Sequence, residues 1–293
     1  MPDLTTLVLP IFALCILAEA IFSAVRQQQL YSLQDFGGSM SQLGMNIIVK
    51  LAVDGSIIAL HFYLFQFRLF DFENTWVTWL ITLVTLDFVF YWYHRVSHRS
   101  RVFWAAHVVH HSSERMNFGT ALRQSPTGPL TRMWFYWPLP LLGFDPLVIA
   151  SAGAVATIYG FWTHTEVVRG WWHPLQRLFV SPAHHRVHHA SNPQYIDKNY
   201  ANMLIIWDHL FGTFAKEEEQ PRYGLITNIQ TYNPLKIAFH EWHALIRSML
   251  DASNIRDAWQ HFIMPPDWHK PRPDTAQEPD SSNQPPTSAA FVK

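Results

Sequence analysis

The sequence predicts an all-α, polytopic membrane bundle with a histidine-rich two-metal cap on its cytoplasmic face. Three observations predict it: long apolar runs, clustered histidines and a single cysteine. Hydrophobic residues make up 49% of the 293 and charged residues only 15%, against the roughly 25% charge usual for soluble domains. With 21 Lys+Arg against 22 Asp+Glu, no basic excess exists to meet a phosphate backbone, which argues against a nucleic-acid partner. Cys15 alone can form neither an internal disulfide nor a thiolate cluster, so a bound metal must take nitrogen or oxygen ligands.

Crossing a bilayer as a helix takes roughly 20 mainly apolar residues. Leu4 to Val25 supplies the first run, with Glu19 its only charge. Met1-Pro2-Asp3 puts no basic residue ahead of it, unlike a secretory signal. Leu43 to Phe67 is the second run, interrupted by Lys50, Asp54 and His61; Lys50 and Asp54 lie four apart on one helical face, so they pair, face the bundle interior, or leave Lys50 to snorkel to the interface. Trp76 to Tyr93 is the third, with Asp87 its only charge. Met133 to Thr163 is a fourth, broken at Gly143 and Pro146 into an expected helical hairpin with a short, tilted first limb and a second limb that is a candidate full span. A soluble protein with several fully buried helices is the alternative, and it fits the run lengths less well. Residues 270–293 hold five prolines and read as a disordered tail. The expected organisation is therefore an N-terminal transmembrane region over 1–75 with two spans, a catalytic region over 76–250, an amphipathic segment over 251–269, and the tail.

All Lys and Arg except Arg26, Lys50 and Arg68 follow position 93. By the positive-inside rule the third span ends in the cytoplasm and the 133–163 hairpin begins and ends there. His94 onward and His164 onward then share one membrane face.

That placement matters because the 17 histidines cluster. His94-Arg-Val-Ser-His98 continues the third span, and spacing i, i+4 puts both imidazoles on one helix face. His107, His110 and His111 form an HxxHH unit; His185, His188 and His189 repeat it. Eight imidazoles exceed the three protein ligands a single catalytic zinc normally takes, and they suit two metals. Imidazole accepts iron, copper or zinc, so ligand type alone does not choose among them. The isolated His61, His240, His243, His261 and His269 read as ordinary interfacial or surface residues.

The flanking residues carry a resemblance. Asp87-Phe-Val-Phe-Tyr-Trp-Tyr-His94-Arg95, His110-His111-Ser-Ser-Glu114 through Asn117, Ala121 to Ser125, and His188 through Tyr200 followed by Trp207-Asp208 and Phe211-Gly212-Thr213 resemble the fatty acid hydroxylase and sterol desaturase superfamily of integral-membrane di-iron enzymes. Within it, the alkylglycerol monooxygenase-like bacterial branch is the nearest in pattern. The resemblance covers about residues 76 to 215. It implies a ninth ligand, His164, within Phe161-Trp-Thr-His-Thr165, and it leaves His184 a neutral or outer role. Arg99 departs from the glutamate that follows this box in the animal enzymes, which leaves substrate and pterin requirement open.

The resemblance implies a non-haem di-iron oxygenase that uses O2 and external electrons to hydroxylate or desaturate an aliphatic C–H of a lipid. Metal-bound imidazoles need partners on their second nitrogens; Asp87, Glu114, Asn117, Asn199 and Asp208 are the expected ones. Electrons must come from a separate reductase, cytochrome or reduced pterin, since no GxG marks a dinucleotide site. The expected location is a bacterial inner membrane, with the endoplasmic reticulum as the alternative. The competing readings are a metal carrier, a bis-histidine haem protein, and a membrane metallohydrolase. The last lacks HExxH, and Arg95 stands where its first box would need a carboxylate. Zinc is expected to replace iron in some purified samples, because it stands higher in the affinity order.

Overall fold

The computed structural model describes residues 4–169 and 173–268. Among these the architecture is helical, with only isolated bridges Phe179 to Leu204 and Ala190 to Tyr223 in place of strands. The helices are α1 (Leu4–Val25), α2 (Leu33–Phe65), α3 (Trp76–Arg99), α4 (Arg101–Ala105), α5 (Val108–His111), α6 (Phe118–Ala121), α7 (Gly128–Tyr136), α8 (Pro138–Leu142), α9 (Pro146–Trp162), α10 (His173–Gln176), α11 (Pro182–His188), α12 (Ile206–Leu210), α13 (Pro234–Leu250) and α14 (Ile255–Ile263). The tail expected over 270–293, and His269, lie outside the described residues.

Three helices are long and apolar enough to cross a membrane: α1 over Val8–Val25, α2 and α3. Their surfaces are inverted relative to a soluble protein. Leu14, Ile48 and Leu51 are exposed, while Glu19, Asp35, Gln42 and Asn46 are buried. Apolar side chains gain little by leaving hydrocarbon, whereas polar groups there must find partners inside the protein. Asp35 pairs with the buried Arg123 at 3.1 Å and accepts a 2.6 Å hydrogen bond from Ser113 Oγ; stripping one partner from such a pair typically costs about 3–5 kcal/mol. Lys50 and Asp54 do pair, at 3.7 Å, on the outer face of α2.

The start of α2 differs from the sequence expectation. α2 begins at Leu33, ten residues before the apolar run, because Ser32 Oγ caps it by accepting from Asp35 N and the first turns bury polar residues. At about 1.5 Å per residue its 33 residues reach roughly 50 Å, beyond the ~30 Å hydrocarbon layer. α3 runs past Tyr93 to Arg99, in line with the i, i+4 spacing, so His94 and His98 occupy its last two turns.

The 133–163 hairpin is present, with a first limb broken into α7 and α8 at Trp137, where Pro138 opens the second piece. Gly143 turns the chain at φ 109°, and a Cβ there would sit 2.1 Å from Phe70 O, so only glycine fits. Asp145 then caps α9 by accepting from Leu147 N and Val148 N. With 17 residues, α9 is shorter than a full span. It packs on α1 through Phe12 and Phe161, stacked at 3.9 Å, and on α3 through Trp79 Nε1, which donates to Ser151 Oγ.

The bundle has two dissimilar ends. At one, Leu69 N donates to Leu141 O, joining the α2–α3 loop to α8. At the other, the starts of α2 and α7 meet the ends of α3 and α9, and α4 to α6 and α10 to α14 build a cap. Arg101 Nε fixes α13 to this end through Glu241 at 2.7 Å. Every histidine cluster lies at the capped end.

Candidate metal centre

The last turns of α3, the short α5, the residue after the α9 C-cap and α11 converge at the base of the cap. They bring the nine expected imidazoles into two adjoining groups: His94, His98, His107, His111 and His188 in one, and His110, His164, His185 and His189 in the other. Within each group one ring nitrogen per residue lies within 4.8 Å of all the others. Successive helical residues point about 100° apart, so the neighbours His110 and His111, and likewise His188 and His189, face different groups. α11 is held in place by Ser181 Oγ, which accepts from His184 N, and by Pro182 at its first position.

The tautomers follow from backbone acceptors. His94 Nδ1 lies 2.7 Å from Tyr200 O, His164 Nδ1 2.7 Å from Gly160 O, and His188 Nδ1 3.0 Å from Lys198 O. A carbonyl only accepts, so each Nδ1 carries the proton and each Nε2 offers a lone pair. The Nε2 atoms of His94 and His164 meet those of other imidazoles in their groups. His94 and His107 Nε2 are 3.0 Å apart, His107 and His111 Nε2 3.1 Å, His110 and His164 Nε2 3.1 Å, His164 and His185 Nε2 2.9 Å. His188 Nε2 and His98 Nε2 are buried with no partner. One hydrogen per imidazole cannot satisfy these shared contacts, whereas a cation at the middle of each group can. Metal–nitrogen bonds of ~2.0–2.1 Å set adjacent ligands roughly 3 Å apart, which is the spacing seen.

Burial also keeps the imidazoles neutral, as ligands must be. It pushes His107, His110, His111, His185 and His189 well below the usual histidine range, with neighbouring imidazoles adding to the effect. Burial takes His164 and His188 to about 4.

None of the five expected polar partners, Asp87, Glu114, Asn117, Asn199 and Asp208, hydrogen-bonds to an imidazole of either group. Asp87 accepts from Met203 N, Leu204 N and Trp207 Nε1; Asp208 accepts from Tyr200 N, Ala201 N and Thr213 Oγ1. Asn199 Nδ2 donates to His184 O and Ala215 O. These three hold the segment that presents the Tyr200 and Lys198 carbonyls. Asn117 caps α6 and donates to Leu30 O, and Glu114 accepts from Asn228 Nδ2. His184 lies outside both groups, its Nδ1 accepting from Ser181 N. His61, His240, His243 and His261 also stand apart.

One nearby carboxylate was not anticipated. Asp197 Oδ1 lies 3.8 Å from His98 Nδ1, while its Oδ2 accepts from Arg99 at 2.6 Å. Asp197 adopts φ 61° and Asn199 φ 55°, the left-handed region that Asp and Asn tolerate better than other residues with a side chain. The Asx identities at these two positions were the available signal.

Comparison with known proteins adds a family. Residues 79–213 match the family model described as fatty acid hydroxylase. The chain is 35% identical over 276 residues to an alkylglycerol monooxygenase of Homo sapiens, covering 93% of this chain and 61% of that protein. It is 37% identical over 244 residues to the alkylglycerol monooxygenase of Danio rerio, covering 82% and 54%. An ornithine lipid hydroxylase of Rhizobium tropici is 33% identical over 143 residues, covering 46% and 41%. The chain thus spans little more than half the length of the curated alkylglycerol monooxygenases it matches. No solved structure matches it. Both imidazole groups fall inside residues 79–213, the segment that matches the fatty acid hydroxylase family model.

Proposed function

We propose that this chain is a membrane-bound di-iron oxygenase that hydroxylates or desaturates an aliphatic C–H of a lipid, using O2 and electrons from a separate donor. The observation that carries the reading is the convergence of buried, neutral imidazole lone pairs in two adjoining groups at the end of an apolar bundle. The nine histidines would hold the two metals, five on one and four on the other. Iron bound there supplies reductive O2 chemistry strong enough for an unactivated C–H bond.

The chain's own residues orient and shield the site. The Tyr200, Gly160 and Lys198 carbonyls lock three rings. Trp104 packs 5.2 Å from His98 and 5.7 Å from His111, limiting water on that side. Phe90, one turn before His94 on α3, places its ring 5.2 Å from that imidazole, so apolar surface reaches the first group from the spans. A lipid chain is the substrate such a surface suits, and the names of the similar proteins agree with it. A hydrolase is disfavoured because neither group contains a carboxylate and Asp197, near His98, is tied to Arg99. The donor would be a reductase, a cytochrome or a reduced pterin. Residues 1–75 would serve as anchor, 76–250 as the catalytic region and 251–269 as an amphipathic flank.

The test is dioxygen uptake by iron-loaded protein given reductant and membrane lipid. Uptake that depends on both lipid and bound iron is expected; metal-loaded protein that consumes no dioxygen would make it a carrier.

The basic residues around the cap support a cytoplasmic active site, in a bacterial inner membrane or, alternatively, the endoplasmic reticulum. Arg115→Cys and Lys216→Cys, in a Cys15→Ser background, should resist an impermeant thiol reagent added outside intact cells. Efficient labelling from that side would reverse the orientation.

A further inference from the structure

α13 and α14 are amphipathic in a way the metal centre does not use. On α13, Ile237, Ala238 and Leu245 are buried against the cap. The opposite stripe, Leu235, Phe239, Ile246 and Leu250, repeats at helical spacing and is exposed, Leu250 to 80%. α14 continues it with Ile255 and Trp259, exposed to 87% and 57%. Beside the stripe stand Lys236, Arg247 and Arg256, none in an ion pair among the described residues. An apolar stripe edged by cations is the pattern of a helix lying in a membrane interface.

The fold sets this stripe at the right level. Gln42 Nε2 donates to Pro234 O at 2.8 Å, pinning the start of α13 to α2. Counting roughly 20 residues of hydrocarbon back from Phe65 reaches about Asn46, one turn from Gln42. A groove of about 510 Å³ between Ile229, Thr231 and α13 opens beside the stripe and shares Leu235 and Phe239 with it.

We propose that the α13–α14 hairpin is a membrane-interfacial foot whose apolar stripe sits at the headgroup–acyl boundary on the capped side, with Lys236, Arg247 and Arg256 on anionic headgroups. The unpaired cations decide the occupant. A second copy docked through this face would bring the same positive edge against it, whereas an anionic leaflet neutralises it. The foot would hold the cap, and so the metal centre, at a fixed height over the acyl chains. It rests on the membrane-spanning reading alone and not on the oxygenase reading.

The test uses the full chain with Cys15→Ser, spin-labelled at Ile246→Cys or at the neighbouring Arg247→Cys, in vesicles of phosphatidylcholine and phosphatidylglycerol. Both sites are exposed, so folding should survive labelling. The label at 246 should collide more with oxygen than with a water-soluble nickel chelate, and the label at 247 should show the inverse. Removing phosphatidylglycerol should move the 246 label toward water. Equal nickel access at 246 and 247 would overturn the proposal. So would a 246 label shielded from both quenchers and broadened as the protein-to-lipid ratio rises, which is the signature of a second copy.

Discussion

Replacing His188 with alanine should abolish lipid oxidation while the protein still inserts into membranes. His188 lies in the five-imidazole group, its ring 4.3 Å from that of His94 and 4.9 Å from that of His98. Its Nδ1 is committed to Lys198 O and its Nε2 is buried without a protein partner. The side chain therefore contributes a lone pair more than packing. Loss of an orienting partner around a metal usually costs about 10–100-fold in affinity or activity, and loss of a ligand should exceed that. Insertion depends on α1 to α3, whose apolar surface the substitution leaves untouched. Product formation by the variant, measured by mass spectrometry against membrane-fraction yield, checks this; wild-type turnover would remove His188 from the site.

The second large effect is on metal content. His164→Ala with His189→Ala strips two ligands from the four-imidazole group and none from the other, so bound metal should fall from two ions per chain to one. His110→Ala with His111→Ala should behave differently although it also removes two imidazoles, because it takes one from each group and weakens both sites. Elemental analysis of purified protein reads both cases, counting zinc together with iron since zinc competes well for imidazole. One ion per wild-type chain, or two in the His164/His189 variant, would contradict two separate sites.

Much of this arrangement was legible in the sequence because its determinants are local. The apolar runs marked α1 and α3, and Gly143 with Pro146 marked the hairpin turn. The i, i+3, i+4 spacings of His107, His110 and His111 and of His185, His188 and His189 marked those residues as metal-ligand units. Other features depend on contacts across the fold. Spacing could not divide His110 from His111 between groups, because that depends on where α3 and α11 lie around α5. The orienting acceptors escaped prediction because they are backbone carbonyls, which any residue carries; the side chains expected in that role, Asp87, Asn199 and Asp208, brace the loop that presents those carbonyls. The first turns of α2 escaped a hydropathy reading because Asp35, Ser39 and Gln42 are polar yet buried against the cap, the reverse of what polarity suggests in water.

The central claim, that paired metals at the base of this cap direct dioxygen into a lipid, is tested most directly by mass spectrometry of lipids after turnover under isotopically labelled dioxygen with reductant supplied. The account predicts a hydroxylated lipid carrying one labelled oxygen atom, formed only with iron-loaded protein; a desaturated lipid with label in water would report the same chemistry with the other outcome. Products whose new oxygen comes only from solvent water would contradict it and make the centre a hydrolase.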